Sequence, residues 1–323
     1  MCGYPKDGHR TVAIPARPNG ARTWSRRNDT YVVTGCRLRA GKRAHLSFDA
    51  AGSRRVTVRN MGDAHSGLRY ATLEPVTTLA FVHAHPDDEA LLTAGTMARA
   101  AALGHRVVLI TATDGAAGLA SQEFAVDLVE HRQKELLRSA EVLHTAAVHT
   151  LGYRDSGLTG AAPGGFAQLP VADAADSIRT IAESEAVDVL IGYDPAGGYG
   201  HPDHLQVHAA TRAAHALLDP TVRLFEATLP REPIARVAAG AAALRLTPAT
   251  FDPKEFARAW TPRNHITHRV NVRGYLHQKR ESMRSHASQR VADDSVRTLA
   301  MLARLPAPVF AALLGTEYYV AVS

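Results

Sequence analysis

Cysteine is nearly absent: Cys2 and Cys36 are the only two in 323 residues. That is too few for a disulfide framework or for a thiolate-based zinc site. No apolar run reaches the roughly 18 to 20 residues that span a bilayer. The opening stretch MCGYPKDGHRTVAIP lacks the apolar core of a secretory signal, so a cytoplasmic protein is the default expectation. There is no Gly-x-Ser-x-Gly elbow, which disfavours a serine hydrolase. Gly115 and Gly118 in TATDGAAG have no Lys-Ser/Thr behind them and are a poor phosphate loop. Internal repeats and low-complexity tracts are missing as well.

Hydrophobic content of 46% and charged content of 21% are those of an ordinary globular chain, and the length allows one large domain or two smaller ones. The net charge of +6 is unevenly spread. Residues 1–76 hold fourteen Lys/Arg against five Asp/Glu, a net of +9, so the remainder carries −3. A basic segment attracts nucleic acid, an anionic surface or an acidic substrate, or is simply well solvated. Aromatic interleaving for base stacking is thin there. A homo-oligomer is compatible with all of this.

The rhythm of the chain changes at Thr77. Before it, the first 25 residues read as an irregular tail, followed by short alternating strands TYVVTG, AHLSFDA and RRVTVRN: a small β-rich module over 1–76. After it, near-continuous apolar runs alternate with amphipathic stretches. TTLAFVHA, HRVVLITAT, AAVHTLG and VDVLIGYD read as strands buried on both faces. EALLTAGTMARAAALG, EFAVDLVEHRQKELLRSAEVL and ADAADSIRTIAESEA read as helices. ITHRVNV, GYLHQKRESMRSHAS and EYYVAV complete the pattern. The expectation for 77–323 is an α/β domain with a Rossmann-like, mostly parallel sheet and helices on both faces. Ligands then belong at the carboxyl ends of the strands.

Two clusters sit at such ends. His85-Pro86-Asp87-Asp88-Glu89 follows the first buried strand. Three acids beside a histidine repel one another, and a divalent cation would offset that. His85 and Asp88, three residues apart, can aim at one ion while Asp87 stays free. The plainer alternative, one Asp capping a helix, needs one acid rather than three. The second cluster, GYDPAGGYGHPDH (Gly192 to His204), follows VDVLI. Its glycines let a loop turn sharply, and His201 and His204 bracket Pro202 and Asp203. A third ligand from this cluster would complete a His, Asp, His set with an open position, as in catalytic zinc sites. Alternatively, both histidines cap and solvate the next helix. His83 is expected to be a buried neighbour. Asp114 follows the second buried strand and is a candidate for lining the cleft. Arg132 and Glu135 are spaced as a helix-surface pair, and His286 either closes the site or packs.

AHPDDE with a later HPDH resembles the PIG-L/LmbE family of zinc-dependent N-acetylglucosaminyl deacetylases. RQKE (Arg132 to Glu135), YRDSG (Tyr153 to Gly157) and KRESMRSHASQ (Lys279 to Gln289) resemble family segments in the same order. Within the family, RDSG with YDPAGGYGHPDH is most similar to the actinobacterial deacetylases of mycothiol synthesis and their amidase relatives. The resemblance covers about Thr77 to Ser323. It implies a Rossmann-like fold and one Zn2+ ion, with Fe2+ as an alternative, held by His85, Asp88 and His204. It implies Asp87 as general base for the attacking water and His201 as an imidazolium that stabilises the oxyanion and protonates the amine. Asp203 would orient His201, Tyr199 would assist the tetrahedral intermediate, and Arg132 and Asp155 would grip sugar hydroxyls. The implied reaction is removal of the N-acetyl group from a small amino-sugar conjugate. The alternatives are amide hydrolysis of a larger thiol conjugate, deacetylation of a secondary-metabolite glycoside, and a non-catalytic binding module. Leu92 stands near the point where some amidase relatives carry a lysine, which favours the deacetylase. The basic module and the stretch from Phe225 to Phe256 match no family segment.

Overall fold

The computed structural model describes residues 76–115, 128–243, 257–286 and 294–323, together with six strands among the first 75 residues. By internal contacts the chain forms two compact units, Met1–Val76 and Thr77–Ser323. In the first, β1 (Val12–Ile14), β2 (Arg22–Arg27), β3 (Thr30–Thr34), β4 (Lys42–Phe48), β5 (Arg54–Asn60) and β6 (Arg69–Thr72) pair antiparallel in chain order. β3 to β5 are the strands expected from alternation. β1 and most of β2 fall in the stretch read as an irregular tail, because neither has enough alternating residues to stand out.

In the second unit the order is β7 (Thr78–His83), α1 (Asp88–Leu92), α2 (Ala94–Ala102), β8 (Arg106–Thr113), α3 (Leu128–Val142), β9 (Ala147–Tyr153), α4 (Val171–Ser184), β10 (Val189–Tyr193), α5 (Pro202–His215), β11 (Arg223–Thr228), α6 (Arg231–Ala243), β12 (His268–Asn271), α7 (Leu276–Ser285), α8 (Asp294–Arg304), α9 (Ala307–Leu314) and β13 (Thr316–Val322). The sheet runs β12-β13-β11-β10-β7-β8-β9. β9, β8, β7, β10 and β11 are parallel, and β13 pairs antiparallel with both β11 and β12. Alternate residues of the buried strands feed opposite faces. Ala80, Val82, Val108 and Ile110 pack with Ile178 of α4 and Val207 of α5, whereas Phe81, Val107 and Leu109 pack with Met97 of α2 and Leu136 of α3. Period-two strands sandwiched by helices explain the unbroken apolar runs of the sequence.

β7 is the middle one of the five parallel strands. β8 and β9 extend the sheet to one side, and β10 and β11 to the other. The order of connection therefore reverses between β7 and β10, and a crevice opens outside their carboxyl ends. Both polar clusters follow these two adjacent strands.

The single helix expected from Glu89 to Gly104 is broken at Thr93, which has φ −133° and ψ −5°. Contacts from distant parts of the chain stabilise the break. Glu317 of β13 accepts from the N–H of Gly95 (2.8 Å) and of Thr96 (2.7 Å), in the first turn of α2. Lys279 of α7 donates to the carbonyl of Leu91 at 2.7 Å, at the end of α1. The ammonium and carboxylate also pair with each other at 2.5 Å, both fully buried. Each charge thus meets the helix end whose dipole it complements.

Candidate metal-dependent active site

β7 ends at His83, and the chain turns through His85, Pro86 and Asp87 into α1. β10 ends at Tyr193, and the glycine loop leads to His201, the N-cap of α5. The loop is shaped by Asp194, which is fully buried. Its Oδ1 accepts from Gly198 N–H at 2.9 Å, and its Oδ2 accepts from the hydroxyls of Thr261 (3.0 Å) and Thr228. Gly198, at φ +66°, has no room for a side chain, since a Cβ there would lie 2.8 Å from the Trp260 ring.

Three donor atoms meet where the loops converge. His85 Nδ1 lies 3.3 Å from Asp88 Oδ2, His204 Nε2 lies 3.4 Å from the same oxygen, and the two nitrogens are 3.3 Å apart. A four-coordinate zinc ion with donors at about 2.0 to 2.1 Å has donor–donor edges of about 3.3 to 3.4 Å. The surroundings fix the lone pairs accordingly. His85 Nε2–H donates to Asp203 Oδ2 at 3.2 Å, which leaves Nδ1 as the free donor. His204 Nδ1–H donates to the Gly197 carbonyl at 3.2 Å, which leaves Nε2. Asp88 Oδ2 accepts from Tyr193 OH at 2.6 Å and from His85 N–H at 2.9 Å. Oriented imidazoles and a hydrogen-bonded carboxylate are what a metal ion requires of its ligands.

Two other groups also converge within 4.8 Å: His85 with His201 and His204, and His85 with Asp155 and Asp203. They make poorer cages. His201 Nδ1 already accepts from Asp203 N–H at 3.2 Å. In the second group the edge from His85 Nε2 to Asp155 Oδ1 is 3.6 Å, longer than a tetrahedral zinc site takes. The residues of the first set therefore fit a divalent cation best.

Burial works against every charge in this site. For Asp88 the opposing pull of His204 and His85 wins and holds it well below the usual carboxylate range. For His85, burial is outweighed by Asp155, Asp203 and Asp88, which raise it well above an ordinary imidazole. Asp87 behaves differently. Burial lifts it to about 7, against the pull of Arg132 and with the push of Asp88. Its carboxylate makes no cap bond to α1 and lies 3.7 Å from Arg132 Nη2. A carboxylate near neutral pKa beside a metal cage is suited to proton transfer.

The remaining sequence candidates fall at different depths. His201 does cap α5, but it is also buried, at 6% exposure, with its ring 4.6 Å from that of His85. Burial, then His85 and His204, lower it to about 4, and Nδ1 is an acceptor. In the metal-free chain that direction runs against the imidazolium implied by the resemblance. The Asp203 carboxylate faces His85, while only its backbone N–H reaches His201. Asp155 sits behind the cage, 3.6 Å from His85 Nε2. Asp114 Oδ1 accepts from Asp155 N–H at 3.3 Å and so steadies that loop. Tyr199 stands at the mouth, its ring edge-on to His204 at 5.1 Å. Arg132 and Glu135 are both buried, not a surface pair. A Cβ on Gly115 would fall 2.0 Å from Arg132 Nη1, so that glycine makes room for the guanidinium. Arg132 Nε is a buried donor without a hydrogen-bond partner. His286 lies behind Asp87 and pairs with Glu89 at 2.7 Å. His83 is a buried neighbour bonded to Thr93 Oγ1 at 2.9 Å.

Tyr193, Glu89 and Asp194 were not singled out from sequence. Tyr193 touches two metal-cage residues at once: its hydroxyl meets Asp88, and its ring stacks on His204 at 4.3 Å and 18°. Its position as the last residue of a buried strand, directly before the glycine loop, was the available signal.

An α/β sheet with a His-Asp-His cluster at its switch point and a spare carboxylate beside it is a site that could hold a metal ion for hydrolysis. The family model PIG-L, described as GlcNAc-PI de-N-acetylase, matches residues 80–215. The 1D-myo-inositol 2-acetamido-2-deoxy-alpha-D-glucopyranoside deacetylase of Thermobifida fusca is 35% identical over 241 residues, covering 65% of this chain and 82% of the relative. The protein of the same name from Streptomyces griseus is 36% identical over 246 residues, covering 68% and 77%. The chain belongs to the PIG-L family. Among solved structures, the N,N'-diacetylchitobiose deacetylase from Pyrococcus horikoshii shares the fold, with a TM-score of 0.51 at 19% identity over 76% of this chain and 84% of that one. Among the described residues no helix is long and apolar enough to cross a membrane.

Proposed function

We propose that this chain hydrolyses the N-acetyl group of a GlcNAc-type sugar conjugate, releasing acetate and a free amine. The working ion is Zn2+, and GlcNAc-inositol, the substrate in the names of the relatives, is the first candidate. The carrying observation is the triangle of His85 Nδ1, Asp88 Oδ2 and His204 Nε2 with edges of 3.3 to 3.4 Å, beside a carboxylate raised to about 7.

The ion supplies Lewis acidity towards the amide carbonyl and the attacking water. Everything else falls to the chain. Asp87 takes the proton of the attacking water and returns it to the leaving nitrogen. His201 Nε2–H is the donor for the oxyanion, and a donor so aimed contributes about 3 to 4 kcal/mol to the transition state. Tyr199 at the mouth assists at the same oxygen. Arg132 holds a sugar hydroxyl and the Asp87 carboxylate together. Asp203 and Asp155 keep the His85 ring in the tautomer that binds metal.

Purified, zinc-loaded protein incubated with GlcNAc-inositol is expected to release acetate. Asp87→Ala and exhaustive chelation each reduce that release to background. Undiminished turnover by Asp87→Ala, or by the chelated protein, would refute the mechanism.

A further inference from the structure

The run Asp87-Asp88-Glu89 places a proposed base, a metal-cage ligand and a third acid side by side. Glu89 is fully buried, so solvation cannot explain it. Its Oε2 accepts from the backbone N–H of Asp87 at 3.0 Å. Its Oε1 accepts from Ser139 Oγ of α3 at 2.6 Å and from His286 Nε2 at the end of α7 at 2.7 Å. Ser139 Oγ is in turn 2.7 Å from Ser282 Oγ of α7. Burial opposes the charge of Glu89, yet His286 and Ser139 outweigh it and hold the group below its ordinary range.

Asp87 is the N-cap of α1, where an aspartate normally turns its side chain back onto the helix N–H groups. Here it makes no such bond, and its backbone is held at φ 120° and ψ −24°. A non-glycine residue there is strained and persists only when its surroundings over-determine it. Glu89, two residues on at N2, thus anchors the backbone N–H of Asp87, while the Asp87 side chain makes no cap bond and is left for chemistry.

We propose that Glu89, braced by His286 and Ser139, is a positioning residue that fixes the direction of the Asp87 carboxylate. This rests on the reading of Asp87 as the base of a deacetylase. The consequence is a role in rate rather than in substrate or metal binding.

The test compares zinc-loaded wild type, Glu89→Leu and Glu89→Gln for kcat, KM, zinc content and crystal structure. Leu removes the acceptor, whereas the Gln amide oxygen still accepts from Asp87 N–H. Expected for Leu is a kcat about 100-fold lower, with KM and zinc content within threefold of wild type, and with Asp87 leaving its positive φ. Gln should recover at least tenfold over Leu. Glu89→Asp, which keeps the charge but not the reach, carries the same test if Leu does not fold; its kcat should fall at least tenfold. The proposal is overturned if kcat is unchanged in Leu or Asp, if KM or zinc content falls off in step with kcat, or if Gln is no better than Leu. An inactive wild type would instead count against the deacetylase reading, and the position of Asp87 in the variant crystals would still decide the role of Glu89.

Discussion

Tyr193→Phe isolates what one hydroxyl does for the metal cage. The ring stack on His204, 4.3 Å between centroids, survives the substitution, and Asp88 Oδ2 keeps its bond from His85 N–H. Two bonds are lost: the 2.6 Å bond to Asp88 and the 3.0 Å bond from Ala84 N–H. The stranded Ala84 N–H costs about 1 to 3 kcal/mol of folding stability, but equally with and without metal, so it cancels in the affinity. The bond to Asp88 does not cancel, because it holds the oxygen in the cage geometry. A hydrogen bond to a charged group contributes about 1.5 to 3 kcal/mol, and part of that is recovered by water or by rotation of the carboxylate. A loss of about 1.4 kcal/mol is tenfold in Kd, at the low end of the 10- to 100-fold typical for groups that orient metal ligands. Competition with a chelator of known zinc affinity measures it. A variant that is less stable yet binds zinc within twofold of wild type would refute the reasoning.

The buried Lys279–Glu317 pair makes a second prediction. Lys279→Met removes the counter-charge of Glu317 and should cost about 3 to 5 kcal/mol in urea unfolding, whereas Lys279→Met with Glu317→Gln should recover part of that. Gly115→Ala should push the Arg132 guanidinium aside, raising KM about tenfold in steady-state assays while zinc content stays constant. The raised pKa of His85 predicts that metal competes with a proton. In the metal-free protein that proton is held well above the ordinary imidazole range, and its stabilising contribution, complete below the unfolded value of about 6.5, fades only as pH passes the folded value. Zinc affinity should therefore climb by on the order of tenfold per pH unit for each proton displaced, with proton release visible in calorimetry across buffers of different ionisation enthalpy.

The parallel sheet was legible because strands covered on both faces cannot hide their composition: LAFV in the first and VLI in the second are unbroken apolar runs. The two clusters were legible for the same reason, since each begins where such a run stops. Their meeting depends on β7 and β10 being neighbours, which the alternation of strand and helix allows but does not dictate. The parts that stayed hidden depend on long-range contacts. The break at Thr93 relies on Glu317, 222 positions from Gly95. The carboxylates on the far side of His85 arrive from loops after β9 and β10, and the contact with Asp203 spans 118 positions. Glu89 looked like surplus charge until Ser139 and His286 were seen to surround it.

His85 and His204 stand 119 positions apart, one in the turn after β7 and the other in the first turn of α5, which follows β10. During synthesis the earlier pair, His85 and Asp88, emerges long before its partner and offers a dication only two weak donors. The ion can be captured firmly only after β10 has docked against β7. Metal uptake is thus a late event in the life of the chain, a reporter of completed assembly rather than its seed.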